Sequence, residues 1–189
     1  MMPRIFRKEA EQYFRKQMEL LTSAGFDALG IGSMEEPGFL REAGIELPMY
    51  FDQGMYSWNH LAGAAMERYG RDRLTIPVEL NEREIRDSGV QGEMIVYGYL
   101  PMMISAQCIR KTTLGCSGKP EIMWLKDRKD MRFPVVNQCR FCYNTIYNSA
   151  PLSLLGLSEQ VTGLKPNAVR LNFTVEEPAA AGEILDAFF

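Results

Sequence analysis

Cys108, Cys116, Cys139 and Cys142 are the only cysteines in this chain, and they fall in one stretch as Cys-x7-Cys-x22-Cys-x2-Cys. Four thiolates that converge can hold a zinc ion or an iron–sulfur cluster, whereas four scattered thiols hold neither. Convergence requires the 22 residues between the pairs to double back, and two β-prone runs, Ile122 to Leu125 and Phe133 to Val136, allow it. Cys139-x-x-Cys142 offers two ligands from one tight turn. The seven residues between Cys108 and Cys116 are loose for a zinc knuckle and acceptable for a cluster, so spacing favours iron–sulfur over zinc. Two disulfides are the alternative. The N-terminus, Met1 to Glu9, lacks the apolar core of a signal peptide. A cytoplasmic location is therefore expected, where thiols stay reduced and clustered cysteines more often bind metal.

No apolar run approaches the roughly 20 residues that span a membrane, so no membrane association is expected. The 189 residues, 46% hydrophobic and 24% charged, suit one globular domain or one with a small appendage. The net charge of -3 conceals an asymmetry. Between Cys108 and Cys142 stand eight basic residues and three acids, or +5, which leaves -8 for the remainder. A basic surface beside the cysteines favours an anionic partner such as RNA, and a solvated basic loop is the plainer explanation of the same charge.

Upstream, short apolar runs alternate with amphipathic stretches. Phe6, Ala10, Phe14, Met18 and Leu21 predict a helix from about Arg4 to Ala24, stopped by Gly25. Ala28 to Gly32 predicts a buried strand, and Ser33 with Glu36 a capping box for a helix ending near Gly44. Leu47 to Phe51, Leu74 to Val78 and Met94 to Tyr97 predict three further strands. Between them come a helix from Ser57 to Tyr69, closed by Gly70, and a short one capped by Asn81 and Glu84. This alternation implies parallel pairing, so the expected fold is α/β. Residues 1–98 form a partial (β/α) TIM-like barrel of about four units. Residues 99–150 form a small irregular β module bearing the cysteines, and 151–189 a strand (Ala168 to Phe173) and helix (Glu176 to Phe189) returning to the barrel. A doubly wound sheet is the runner-up, without any Gly-x-Gly-x-x-Gly loop to support it.

In a parallel barrel the C-terminal strand ends line the site. Those positions hold Ser33, Asp52, Glu79 and Tyr97, with Asn59 and His60 nearby. Asp52 and Glu79 are candidate catalytic acid and base, and helix caps or loop carboxylates otherwise. Asn59, Tyr97, Lys126 and Arg128 are candidate substrate-binding residues. His60 is the only histidine, and its place early in a helix favours a surface or packing role, which disfavours a His-dependent protease and excludes an HExxH site.

Several motifs carry a family resemblance: Glu93-Met-Ile-Val-Tyr-Gly-Tyr-Leu-Pro-Met-Met103 with a cysteine soon after, Leu125-Lys-Asp-Arg-Lys129, and Tyr147-Asn-Ser-Ala-Pro-Leu152. With Phe26 to Gly32, Leu47 to Asn59 and Pro77 to Asn81, they make the chain from about residue 10 onward resemble the collagenase-like U-32 peptidases. The resemblance implies a (β/α) barrel core and a [4Fe–4S] cluster on Cys108, Cys116, Cys139 and Cys142, with zinc as the alternative. It implies oxygen-independent hydroxylation of transfer or ribosomal RNA, or else a collagenase-like peptidase. A non-catalytic zinc-stabilised binding or assembly module is the reading from a different class. The family's barrel has about eight strands against four here, so either the chain is a fragment or a second chain completes the barrel.

Overall fold

Ala10, Phe14 and Met18 recur one helical turn apart. In the computed structural model, which describes residues 4–69 and 71–188, they form the buried face of α1 (Glu11–Ser23) and the 3-10 turn before it. The helix starts later than its periodicity predicts because Arg7 is extended and offers no side-chain cap. The chain divides into two compact units, Met1–Ile95 with Glu159–Val169, and Val96–Ser158 with Arg170–Phe189.

In the first unit, β1 (Leu29–Ile31), α2 (Glu35–Glu42), β2 (Met49–Phe51), α3 (His60–Glu67), β3 (Arg71–Leu74) and α4 (Glu82–Ser88) alternate as expected. The three strands are parallel in the order β1-β2-β3, with Ile31 opposite Phe51 and Phe51 opposite Leu74. Ile31, Leu40, Phe51, Leu74 and Ile85 are buried, and each such side chain contributes about 1.5–3 kcal/mol through its removal from water. Asn81 closes its capping box in full: Glu84 N donates to Asn81 Oδ1 at 3.1 Å, and Asn81 N to Glu84 Oε2 at 2.8 Å. The Ser33–Glu36 box does not form. Met34 takes the cap position, and Glu36 Oε1 instead accepts from Gly32 N at 3.2 Å. α3 is shorter than expected because Asn59 caps it, accepting from Ala62 N at 2.9 Å, and Gly70 lies outside the described residues.

The barrel expectation needs correcting at its third and fourth strands. β3 ends where the third strand is predicted to begin, and Pro77, without an N–H, cannot extend the ladder. Beyond β3 a single parallel bridge joins Thr75 to Glu93. β4 (Glu93–Gly98) then pairs antiparallel with β9 (Leu152–Ser153), Tyr97 opposite Ser153 and Gly98 opposite Leu152. The result is a mixed α/β architecture, and the described residues form no closed barrel.

The second unit is more regular than its sequence suggests. β5 (Pro101–Ser105), β6 (Ile122–Lys126), β7 (Arg132–Gln138) and β8 (Tyr143–Tyr147) make one antiparallel sheet, ordered β5-β8-β7-β6. A short helix, α5 (Ile109–Thr113), interrupts the connection from β5 to β6. Periodicity misses this sheet because its buried positions include Asn137, Asn144 and Thr145, which count as polar. Gly98 has φ +145°, and a Cβ there would strike the Asn172 carbonyl, so glycine is required. A further helix, α6 (Ser158–Leu164), precedes β10 (Ala168–Asn172) and α7 (Pro178–Phe188), which complete the chain close to expectation. No helix among the described residues is long and apolar enough to cross a membrane.

Candidate metal centre

Cys139 to Cys142 are the four-residue loop of the β7–β8 hairpin, whose last pair is Gln138 opposite Tyr143. Phe141 N donates to Gln138 O at 3.0 Å and closes the turn. Cys142 takes φ +52°, a left-handed conformation that costs an L-residue with a Cβ about 1–2 kcal/mol. A position suited to glycine thus carries a thiol. The Cys139 Sγ donates to Lys119 O at 3.0 Å, and the Cys142 Sγ contacts Cys139 O at 3.8 Å.

The other two cysteines reach this loop through a pair of wholly buried asparagines. Asn137 and Asn144 face each other across β7 and β8, in register and just below the loop. Asn137 Oδ1 accepts from Glu121 N at 2.6 Å, and Asn137 N donates to Glu121 O at 3.2 Å. Asn144 Nδ2 donates to Gln107 O at 3.0 Å. Gln107 and Glu121 bracket the segment that carries Cys108 and Cys116, so the hairpin grips both ends of that segment. Within it, Cys108 caps α5, its Sγ accepting from Lys111 N at 3.5 Å. Arg110 Nε lies 2.6 Å from Glu121 Oε1 and adds a charge pair across the same closure. A signal for this arrangement was present in the sequence: Asn-x-Cys-x-x-Cys-x-Asn, from 137 to 144, is symmetric about the turn.

All four thiols are free, with Cys108 and Cys139 half-buried and Cys116 and Cys142 exposed. The Cys139 thiol is held above its ordinary range, first by burial and then by repulsion from Cys116, Cys108 and Cys142, against a hydrogen bond from Ser117. That repulsion means the four sulfurs share one electrostatic neighbourhood. They are not gathered at coordination positions, for no group of three Cys, His, Asp or Glu among the described residues encloses a metal ion. The donor set nonetheless has the chemistry of a four-thiolate centre: four thiols outside any disulfide, no histidine in the same stretch, and basic residues between the cysteines to offset thiolate charge.

The remaining sequence candidates are dispersed. Asp52, buried just beyond β2, forms an ion pair with Arg4 at 3.2 Å. Arg4 also donates to Gly32 O at 3.2 Å. Ser33 lies beside Glu36, and Glu36 is the buried acid that sequence reasoning treated only as a cap. Desolvation pushes the Glu36 carboxyl up to about 7, against the Gly32 N–H and Arg4, which favour its charged form. Glu79 is exposed in a turn, so Asp52 and Glu79 have opposite environments. Asn59 spends its carbonyl oxygen on the α3 cap, and His60 is exposed as the first residue of that helix. Tyr97 is buried with its ring 5.6 Å from Phe173, and burial and then Glu176 hold its phenol protonated. Lys126 pairs with Asp130 at 2.6 Å, and Arg128 is exposed in the β6–β7 loop.

Residues 3–174 match the family model of peptidase family U32. No curated protein and no solved structure matches the chain.

Proposed function

Because the chain belongs to peptidase family U32, we propose that Cys108, Cys116, Cys139 and Cys142 ligate a [4Fe–4S] cluster in an enzyme that modifies RNA by oxygen-independent hydroxylation. The observation that carries the reading is that Asn137 and Asn144 tie the segment bearing Cys108 and Cys116 to the hairpin bearing Cys139 and Cys142, with all four thiols outside any disulfide. When bound, a cluster of this kind supplies one-electron chemistry. The protein's own residues do the rest. The two asparagines hold the cysteine segments to one hairpin, and the thiols give up their protons to become ligands. Arg110, Lys111 and Lys119 offset the resulting charge, and the exposed basic residues between the cysteine pairs attract phosphate. His60 is not positioned as the base of a nucleophilic apparatus, which weighs against a His-dependent peptidase. The same reading has a second chain extending the parallel sheet at β1, its outer strand.

Iron, sulfide and zinc analysis with a visible absorption spectrum on anaerobically purified protein tests the centre. Iron and sulfide in stoichiometric amount are expected, and loss of both in Cys139→Ser. Colourless protein with one zinc per chain would instead establish the zinc-stabilised module. Casein or gelatin cleavage that survives removal of all four cysteines would establish the peptidase. A folded monomer in sedimentation would remove the completing chain.

A further inference from the structure

β6 and β7 continue past the sheet to which they belong. β8 pairs with β7 from Val135 to Gln138, whereas Arg132, Phe133 and Pro134 pair with β6 alone. The outer part of this hairpin is therefore a two-stranded ribbon, closed by the loop from Asp127 to Met131. Side chains alternate across it, so Ile122, Trp124 and Lys126 share one face with their partners Val136, Pro134 and Arg132. Pro134 is buried and Val136 half-buried, but Ile122 and Trp124 remain 48% and 56% exposed. An edge strand that presents an indole to solvent runs against the usual protection of sheet edges.

The charges around the indole are arranged asymmetrically. Asp127 Oδ1 accepts from Lys129 N at 2.8 Å and from Met131 N at 2.9 Å, so this acid is absorbed in shaping the loop. Asp130 is engaged by Lys126 at 2.6 Å. Arg128, Lys129 and Arg132 are exposed, and no ion pair among the described residues engages them. The ribbon thus presents an exposed indole with three exposed cations on the same hairpin, while its two acids are engaged, Asp127 by loop N–H groups and Asp130 by Lys126. That combination suits an unpaired nucleic-acid strand, whose bases stack on aromatic rings while its phosphates meet Lys and Arg. A protein partner of apolar chemistry would not use the cations, and an acidic peptide would not use the indole.

We propose that the β6–β7 ribbon binds single-stranded nucleic acid, a base stacking on Trp124 and phosphates contacting Arg128, Lys129 and Arg132. Under the RNA reading above, on which the choice of RNA rests, this ribbon captures the substrate strand.

The test uses the full chain, a fluorescent 12-residue oligouridine and its thymidine counterpart, across a salt series. Both oligomers should bind, and a preference for the ribose form would identify RNA as the source. Trp124→Ala should weaken binding about tenfold or more at fixed salt with an unchanged salt slope, as removal of one stack requires. Arg128→Ala with Lys129→Ala should instead flatten the slope of log K against log salt by about 1.4, from two lost phosphate contacts on a single strand. All these residues are exposed, and unchanged circular dichroism would confirm that the variants fold. Absent binding at low salt, or binding indifferent to Trp124→Ala, overturns the proposal. A concentration-dependent dimer that Trp124→Ala dissolves also overturns it, by making the ribbon a self-association surface. Metal content, measured on the same variants, separates the two readings: an intact centre without oligomer binding removes only the ribbon, and binding without a centre removes only the cluster.

Discussion

The first unit buries a layer of large apolar side chains between parallel strands and helices, whereas the sheet of the second is held by buried amides and leaves its cysteines half-buried or exposed. Phe51, Ile31 and Leu40 are wholly or nearly wholly enclosed in the first unit, and Asn137 and Asn144 hold the equivalent depth around the cysteine hairpin. The difference teaches that one unit is stabilised chiefly by apolar burial. The other is held by two buried asparagines that tie the cysteine-bearing segments to one hairpin.

The largest expected effect falls on the apolar side of the comparison. Phe51→Ala should cost about 3–5 kcal/mol in urea unfolding, with the same loss in metal-loaded and metal-free protein. A loss that shrinks on loading would mean that the two units share their stability.

Next comes a pH effect confined to the first unit. The folded Glu36 carboxyl titrates near 7 against an ordinary 4.5, so at low pH both folded and unfolded forms hold the proton and no penalty arises. As pH rises from 4.5 to 7 the unfolded chain releases the proton first, and stability falls by at most about 3 kcal/mol. Unfolding midpoints at pH 5 and 7.5 should show this decline, and Glu36→Gln should flatten it. A midpoint that does not fall over this range would deny that Glu36 is desolvated.

On the polar side, Asn137→Ala leaves the Glu121 N–H without its partner, at a cost of about 1–3 kcal/mol. Metal stoichiometry should fall with it, although no ligand is removed. Full loading of Asn137→Ala would show that the cysteine segments converge without the amide. The smallest effect is the most diagnostic. Cys142→Gly relieves the left-handed backbone and should stabilise the metal-free protein by about 1 kcal/mol, while lowering its metal content. Unchanged metal content in Cys142→Gly would strike Cys142 from the ligand set.

Legibility in the sequence followed the same division. The alternation of strands and helices around Ile31, Phe51 and Leu74 was readable because apolar spacing reports directly on a buried layer. The capping box at Asn81 was readable because its two hydrogen bonds are local. Four parallel strands were not the outcome, since the antiparallel pairing of β4 with β9 depends on residues more than fifty positions apart. The cysteines announced themselves by spacing, but the hairpin that carries two of them did not, because its interior is filled by asparagines. Glu36 was read as a helix cap, and nothing local signals that its carboxyl is enclosed.

The order in which the chain visits its two units bears on its synthesis. The first unit needs Glu159–Val169, and the second needs Arg170–Phe189, so each is interrupted by the other. On a ribosome, the stretch from Val96 to Val169 takes on the order of 4 to 15 s to make. All four thiols are made within that interval, before the first unit has its last piece. Neither unit can be cut from the chain as one uninterrupted segment, so a fragment that ends after Cys142 but before Val169 leaves the first unit incomplete even though it carries all four cysteines.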